Sequence, residues 1–381
     1  MITMAFASAP APLYVLYQQR DGFSAFTVTL IFAAYAAGVV VSLFLAGHIS
    51  DRFGRRRVIA PAVVLNVVAA LVFLVWPELP GLLLARFICG LGIGMLTATA
   101  TAHMTELRSA ARPGARSRRA EVISTAANIG GLGLGPLLTG FMAEYAPMPL
   151  YTPYVAFAFL LLIGLLLVVT VPETVNTVDG TWTYRPQRMN VPQAARGQYL
   201  ASTLLAFVGF AVFGFFTSLA PAFISGQLRI ASHLVAGGVT FVVFASSASF
   251  QVLSSRWSRT AQLAAGLGLL AAGLATVIAA ITASSLPLLI TGGIVAGSGV
   301  GATFKSAIGS VIAISSANTR GEALTGLFLA GYLGMALPVV ALGLIMQSLP
   351  LVLSVVIFGS VILALTVVTA LALIRTRPTR S

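Results

Sequence analysis

Four side chains in this 381-residue chain could do ionic chemistry within otherwise apolar surroundings: Arg86, His103, Glu106 and Lys305. A guanidinium inside an apolar stretch is costly unless it meets water or a partner, so Arg86 reads as a functional charge. The alternative is a side chain that snorkels to the nearer interface, five residues into its stretch. His103 and Glu106 stand about one helical turn apart, and an imidazole titrating near neutrality could carry protons or simply pack. Lys305 would attract anions if it faces the interior, or would run its amine toward the nearer surface. The nine acids, Asp21, Asp51, Glu78, Glu106, Glu121, Glu144, Glu173, Asp179 and Glu322, fall at the ends of apolar stretches or between them. No carboxylate is therefore expected at depth, where desolvation would tune it for proton exchange. The chain carries no nucleophile-base-acid set, no metal-ligand cluster and no phosphate-binding loop, which argues against an enzyme and calls for no metal or cofactor.

The elements that must position these residues are membrane helices. With 58% hydrophobic and 8% charged residues, the chain is far from globular composition. Apolar runs long enough to span about 30 Å of hydrocarbon lie at 1–17, 24–49, 58–76, 81–105, 120–144, 152–171, 199–225, 232–253, 261–282, 286–311, 322–346 and 350–374. They predict an all-α membrane protein of twelve transmembrane helices. The first run is short, which points to a natural start upstream or to trimming. It contains Pro10 and Pro12, lacks a basic flank and has no small-residue cleavage site, so it reads as a helix and not a leader.

A net charge of +13 would suit nucleic acid in a soluble protein, but the distribution of the charges excludes that reading. With the amino terminus inside, nineteen of the 22 basic residues fall in cytoplasmic segments; Arg20 and Arg229 fall outside, and Arg86 within a helix. The expectation is a monomeric multi-pass protein of the cell (inner) membrane, both termini cytoplasmic, in contact with anionic lipid. Arginine supplies 21 of the basic residues, in keeping with a GC-rich bacterial genome, and Cys89 is the single cysteine, so no internal disulfide forms.

Residues 47–57 read G-H-I-S-D-R-F-G-R-R-R, between the second and third runs. This string resembles the loop motif of the major facilitator superfamily, with every specified position filled, and the resemblance extends over the whole chain. It implies two pseudo-symmetric six-helix bundles around a central cleft. It also implies a latch of Gly47, Asp51, Arg52, Gly54, Arg55 and Arg56, with Asp51 reaching the start of helix 11 near Arg320 and Arg55 pairing with Glu106. Such a latch would form only when the cytoplasmic ends are closed, stabilising the outward-facing state. Arg86 with Gly90 and Gly94 resembles the family's helix 4 pattern, although such glycines also serve close helix packing. Gly131, Gly135, Pro136 and Gly140 in helix 5 resemble the exporter motif, with Thr139 in place of one glycine, and imply a bend. Pro172-Glu173-Thr174 resembles a feature of the sugar-porter branch, but the rest of that pattern is absent and no role is assigned to it.

The halves repeat each other. Pro80, Gly90, Gly92 and Gly94 recur 207 residues later as Pro287, Gly297, Gly299 and Gly301, and Ala11-Pro12 is answered by Ala220-Pro221. Residues 174–198 form the long polar stretch between them, so the expected organisation is a bundle at 1–173, a cytoplasmic linker at 174–198 and a bundle at 199–381. The second half's counterpart of the basic loop, S-S-R-W-S-R, lacks the aspartate and glycines.

If the resemblance holds, helices 1, 4, 7 and 10 supply most of the cavity: Tyr14, Tyr17, Thr97, Thr101, Phe210, Phe213, Thr217, Ser298, Thr303 and Lys305. Tyr35, Asn128, Phe244 and Tyr332 add to it from helices 2, 5, 8 and 11. This aromatic and hydroxyl lining favours amphiphilic, drug-like solutes over sugars. The expected function is alternating-access export of such molecules in exchange for protons. The alternatives are an uptake permease or facilitator for a small metabolite, and a non-transporting sensor with the same fold. A sensor would call for a large soluble extension, which the 25-residue linker does not offer.

Overall fold

The computed structural model describes residues 1–46, 53–111, 118–174, 195–316 and 319–375, and among these every regular element is helical. In a bilayer, helices satisfy their own backbone polar groups, which is why runs of this composition fold no other way. We number the membrane passes α1 to α12. The unbroken ones are α2 (Ala25–Ala46), α3 (Arg55–Val75), α4 (Leu79–Ala111), α6 (Thr152–Thr170) and α8 (His233–Leu253). Four more follow: α9 (Arg259–Thr282), α10 (Leu286–Ile314), α11 (Arg320–Ile345) and α12 (Leu351–Arg375). α4 runs six residues past the expected boundary, and α7 starts at Arg196, inside the expected linker.

The remaining three passes are irregular, two of them where proline removes backbone donors. α1 (residues 2–21) consists of Ile2–Ser8, a 3-10 turn Ala11–Leu13 and Tyr14–Asp21, split around Pro10 and Pro12. α7 (196–226) breaks at Pro221 into Arg196–Ser218 and Ala220–Gly226, so the Ala-Pro echo in the sequence corresponds to a repeated break. α5 (118–145) contains a π-helical segment, Ala126–Gly130, between Arg118–Thr125 and Gly131–Tyr145. Pro136 cannot donate to the carbonyl of Leu132, and the hydroxyl of Ser8 takes that place across the α1–α5 contact at 2.7 Å.

Packing follows the same two-fold pattern. α2·α4, α3·α4, α3·α6 and α1·α5 in the first half are matched by α8·α10, α9·α10, α9·α12 and α7·α11 in the second. The repeated glycines occupy equivalent places. Gly90 and Gly94 abut α2 and Gly92 abuts α3, while Gly297 and Gly301 abut α8 and Gly299 abuts α9. The glycines of α4 therefore serve close approach of helices and do not face the cavity. Between the halves, the main seams are α2·α11 and α5·α8, themselves related by the repeat. Outward faces carry exposed apolar side chains such as Phe159, Leu166, Leu167, Val361 and Val368, suited to lipid.

Candidate functional site

A cavity of about 370 Å³ lies between the halves. One wall, from α4 and α5, presents Thr97, Thr101, Ser124, Thr125 and Asn128; the facing wall, from α7, α10 and α11, presents Phe210, Phe213, Phe304, Phe328 and Tyr332. Ser247, Gln251 and Lys305 add polar atoms from α8 and α10. The hydroxyls are oriented locally: Thr97 donates to the carbonyl of Ile93 at 2.7 Å and Thr101 to that of Thr97 at 3.1 Å, while the Asn128 amide donates to the Thr101 hydroxyl at 3.1 Å. The aromatic wall is held edge to face, with Phe210 centred 5.2 Å from Phe304 and 5.5 Å from Tyr332. Lys305 donates to the carbonyl of Gln251 at 3.1 Å and stands in the cavity wall, not at the surface. No carboxylate is among the described lining residues.

These residues all sit in the half of the protein toward the basic end, the end carrying Arg55–Arg57, Arg196, Arg256, Arg259 and Arg320. Away from that end the cavity is sealed by Tyr35 against Tyr332 across α2·α11, ring centroids 6.2 Å apart, and by Phe213 stacked on Phe244 at 4.3 Å. Further along, the Glu144 carboxylate at the end of α5 accepts from the backbone N–H of His233 at 2.8 Å and of Leu234 at 3.4 Å, and from Ser232 Oγ at 3.3 Å. An anion there complements the positive end of α8. Gly140 and Gly237 bring the same two helices to backbone contact. The sequence marks Glu144 only as an acid at a helix end; nothing local signals its partner across the seam.

Several expected lining residues are elsewhere. Tyr17 is buried with its hydroxyl 3.2 Å from that of Tyr154, inside the first half. Ser298 donates to its own helix at the carbonyl of Ile294, and Thr303 is buried against Gly266 of α9 while donating to Gly299 and Val300. Hydroxyls that bond one turn back on a helix need no cavity. Tyr14, Tyr35, Thr217 and Phe244 line a second, small pocket of about 20 Å³, beyond the seal. Arg86 belongs to this pocket. It is 1% exposed, donates to the carbonyl of Ala7 beside the α1 break at 2.6 Å, and lies 4.4 Å over the Tyr35 ring. It does not snorkel. Sequence reasoning missed Met4, Gln251, Phe304 and Phe328, because aromatics and amides in uniformly apolar helices carry no mark of the face they occupy.

At the basic end, Gly47, Asp51 and Arg52 lie outside the described residues, and Arg320 is exposed at the start of α11. Gly54 has φ 101° and ψ 147°, a conformation nearly confined to glycine, and it caps α3. A Cβ there would collide with Glu173, whose carboxylate accepts from the backbone N–H of Arg55 at 2.8 Å and of Arg56 at 3.0 Å. The Arg56 guanidinium donates to the carbonyls of Val169 and Val171. Arg55 pairs with Glu106 at 2.9 Å, Thr174 donates to Glu106 at 2.6 Å, and His103 Nδ1 meets the Thr174 hydroxyl at 2.9 Å. The Pro-Glu-Thr segment thus joins the basic loop, and His103 sits in this cluster and not in the cavity. All of these residues belong to the first half. The Arg55–Glu106 pair therefore ties α3 to α4 within the first half.

Burial pushes the Glu106 carboxyl up, but hydrogen bonds from Arg55 and Thr174, with the Arg55 charge, outweigh it and hold the group below its ordinary value. A depressed value stabilises the folded state above the ordinary pKa, and this contribution fades as pH falls through the folded value. Thermal unfolding of the native chain and of Glu106→Gln should therefore differ at pH 7 and converge only as pH falls below the ordinary glutamate value of about 4.3.

Residues 1–265 match the model of the Major Facilitator Superfamily. The chain belongs to that superfamily. Among its facilitator relatives, the arabinose-proton symporter of Bacillus subtilis (strain 168) is 36% identical over 83 residues, 22% of this chain and 18% of the symporter. Solute carrier family 22 member 15 of Xenopus tropicalis is 33% identical over 85 residues, 22% of this chain and 16% of that protein. These matches span about a fifth of the relatives' length. Over the whole fold, the xylose transporter XylE of E. coli in a partially occluded inward-open conformation superposes with TM-score 0.70 at 17% identity, covering 99% of this chain and 95% of that one. A POT family transporter in complex with 5-aminolevulinic acid reaches TM-score 0.77 at 12% identity, covering 99% and 94%. The sequence relatives bear names of sugar and solute carriers, so the expected exporter branch and antiport find no support among them.

Proposed function

We propose that this facilitator-superfamily chain carries a small amphiphilic solute across the membrane by alternating access, and that uptake is its direction. The single observation that carries the reading is the cavity between the halves, walled on one side by hydroxyls and amides and on the other by aromatics, sealed away from the basic end. The positive-inside bias makes the basic end cytoplasmic, so the conformation is an inward-facing one. Export was read from the glycine-proline pattern of α5. Packing accounts for those residues: Gly131 and Gly135 abut α1, and Pro136 and Gly140 abut α8. The symporter name of a relative also supports uptake. The division into bundles at 1–173 and 199–381 joined by a cytoplasmic linker belongs to the same proposal.

Counterflow in proteoliposomes across a library of metabolites and amphiphiles, with and without a proton gradient, tests it. Solute exchange dependent on the protein is expected; an inert chain across the library would reject the transporter reading, and accumulation only against an inward proton flow would restore export.

The Glu144 contact supplies a second test, since it must break before the opposite end opens. A charge at a helix terminus is worth about 0.3–1 kcal/mol, so Glu144→Gln should raise the population open at that end roughly two- to fivefold. A cysteine placed at Ala236, in a chain with Cys89 replaced, should then react faster with an impermeant maleimide. Unchanged labelling would count against a latch there.

A further inference from the structure

The geometry points to Arg86 as the positioning residue of the seal, a guanidinium on α4 that aims the Tyr35 ring of α2 at Tyr332 of α11. The inference rests on the alternating-access reading above and names the side chain that prepares one end of the cavity to shut. Arg86 is 1% exposed. Its guanidinium donates to the Ala7 carbonyl of α1 at 2.6 Å and lies over two rings of α2, 4.4 Å from the centre of Tyr35 and 5.8 Å from that of Phe32. Ala7 stands one residue from the end of Ile2–Ser8, where helix carbonyls lack a donor of their own. Phe32 and Tyr35, three residues apart, share one face of α2, and ring faces attract a desolvated cation. One side chain thus joins α1, α2 and α4 at the level of the seal.

Backbone contact fixes where the guanidinium stands over the rings. A Cβ at Gly90 would strike the carbonyl of Tyr35 itself, and a Cβ at Gly38 would strike that of Phe87, the residue after Arg86. α1, α2 and α4 belong to one half, so on the alternating-access reading these contacts outlast opening. The Tyr35–Tyr332 contact, ring centroids 6.2 Å apart and planes at 72°, crosses to the other half and must break and re-form in every cycle. A Tyr35 ring free to turn would have to be ordered each time the halves met. Ordering one such side chain lowers the closed population roughly two- to twelvefold. Held on one face by Arg86, the ring is already ordered when Tyr332 arrives.

The test reads opening directly. In the full chain with Cys89 replaced and a cysteine at Ala236, an impermeant maleimide is added from the side away from the basic end. Labelling is followed for Arg86→Met, Tyr35→Leu and the double variant, each with and without Glu144→Gln. Arg86→Met should label roughly two- to twelvefold faster than the parent chain. Tyr35→Leu should also label faster, and the double variant no faster than Tyr35→Leu, because Arg86 acts through that ring. A merely structural arginine would multiply the Tyr35→Leu rate as well. Glu144→Gln, at the α5·α8 seam, should multiply the rate in every background, which shows that the signal has not saturated. Should Arg86→Met fail to fold, Arg86→Lys, which cannot reach the carbonyl and both rings at once, carries the same cycle. Parental labelling in the Arg86 variant, or the same factor with and without the Tyr35 ring, would overturn the assignment. Failure of both Arg86 variants to fold would overturn it too and make the residue an anchor of the bundle. Labelling needs no flux, so an inert chain in counterflow rejects the transporter reading while the cycle still judges Arg86.

Discussion

Gly237→Leu is expected to stop transport while leaving the chain folded and inserted. Gly237 is buried where α8 crosses α5, and a Cβ there would strike the carbonyl of Pro136 and lie 3.4 Å from the Cα of Gly140. Both obstacles are backbone, so no rotamer change relieves them. Overpacking typically costs about 1–3 kcal/mol, and here it falls on the closed seam alone, because α5 and α8 belong to different halves that must separate when this end opens. The variant should populate the sealed state roughly 5- to 150-fold less than the native chain. Cysteine labelling at Ala236 should become fast, and counterflow should fall by a comparable factor, because a carrier that cannot close one end cannot cycle. Native counterflow in Gly237→Leu would show that this seam tolerates separation and would remove it from the gating machinery.

The fold was largely legible because its determinants are local. Apolar length sets the passes. The glycine echo at a shift of 207 residues was readable as a repeat and proved to mark the same helix contacts twice. The breaks in α1 and α7 fall at Pro12 and Pro221, whereas Pro61 and Pro338 stand inside unbroken helices, so proline alone does not mark a break.

The site was legible only in part, for a physical reason. Which face of a uniformly apolar helix meets water or a neighbour is decided by packing against other helices, and no periodic pattern records it. Thr97, Thr101, Asn128, Phe210, Phe213, Lys305 and Tyr332 line the cavity between the halves, whereas Ser298 and Thr303 satisfy themselves within α10. Glu173 shows the same limit from the other direction. Its partners are backbone amides of a helix 118 residues earlier, and a backbone amide has no signature in sequence.

Gly90→Leu and its repeat counterpart Gly297→Leu should instead prevent folding, and to a similar degree. A Cβ at Gly90 would strike the carbonyl of Tyr35 and lie 3.0 Å from the Cα of Gly38; at Gly297 it would strike the carbonyl of Val243 and lie 3.1 Å from that carbonyl's carbon. These clashes are no worse in kind than the one at Gly237. The difference is that α2·α4 and α8·α10 lie within one half each, where no step of the cycle separates them and no alternative state relieves the overlap. In a membrane, helix association rests on close van der Waals contact because lipid is as apolar as the partner helix, so forcing the backbones apart forfeits most of what holds the pair. Monodisperse protein after detergent extraction should therefore be nearly absent for both variants, with Gly→Ala at each site intermediate, and present for Gly237→Leu. Soluble, folded Gly90→Leu alongside an unfolded Gly297→Leu would mean that the two halves do not share one packing logic.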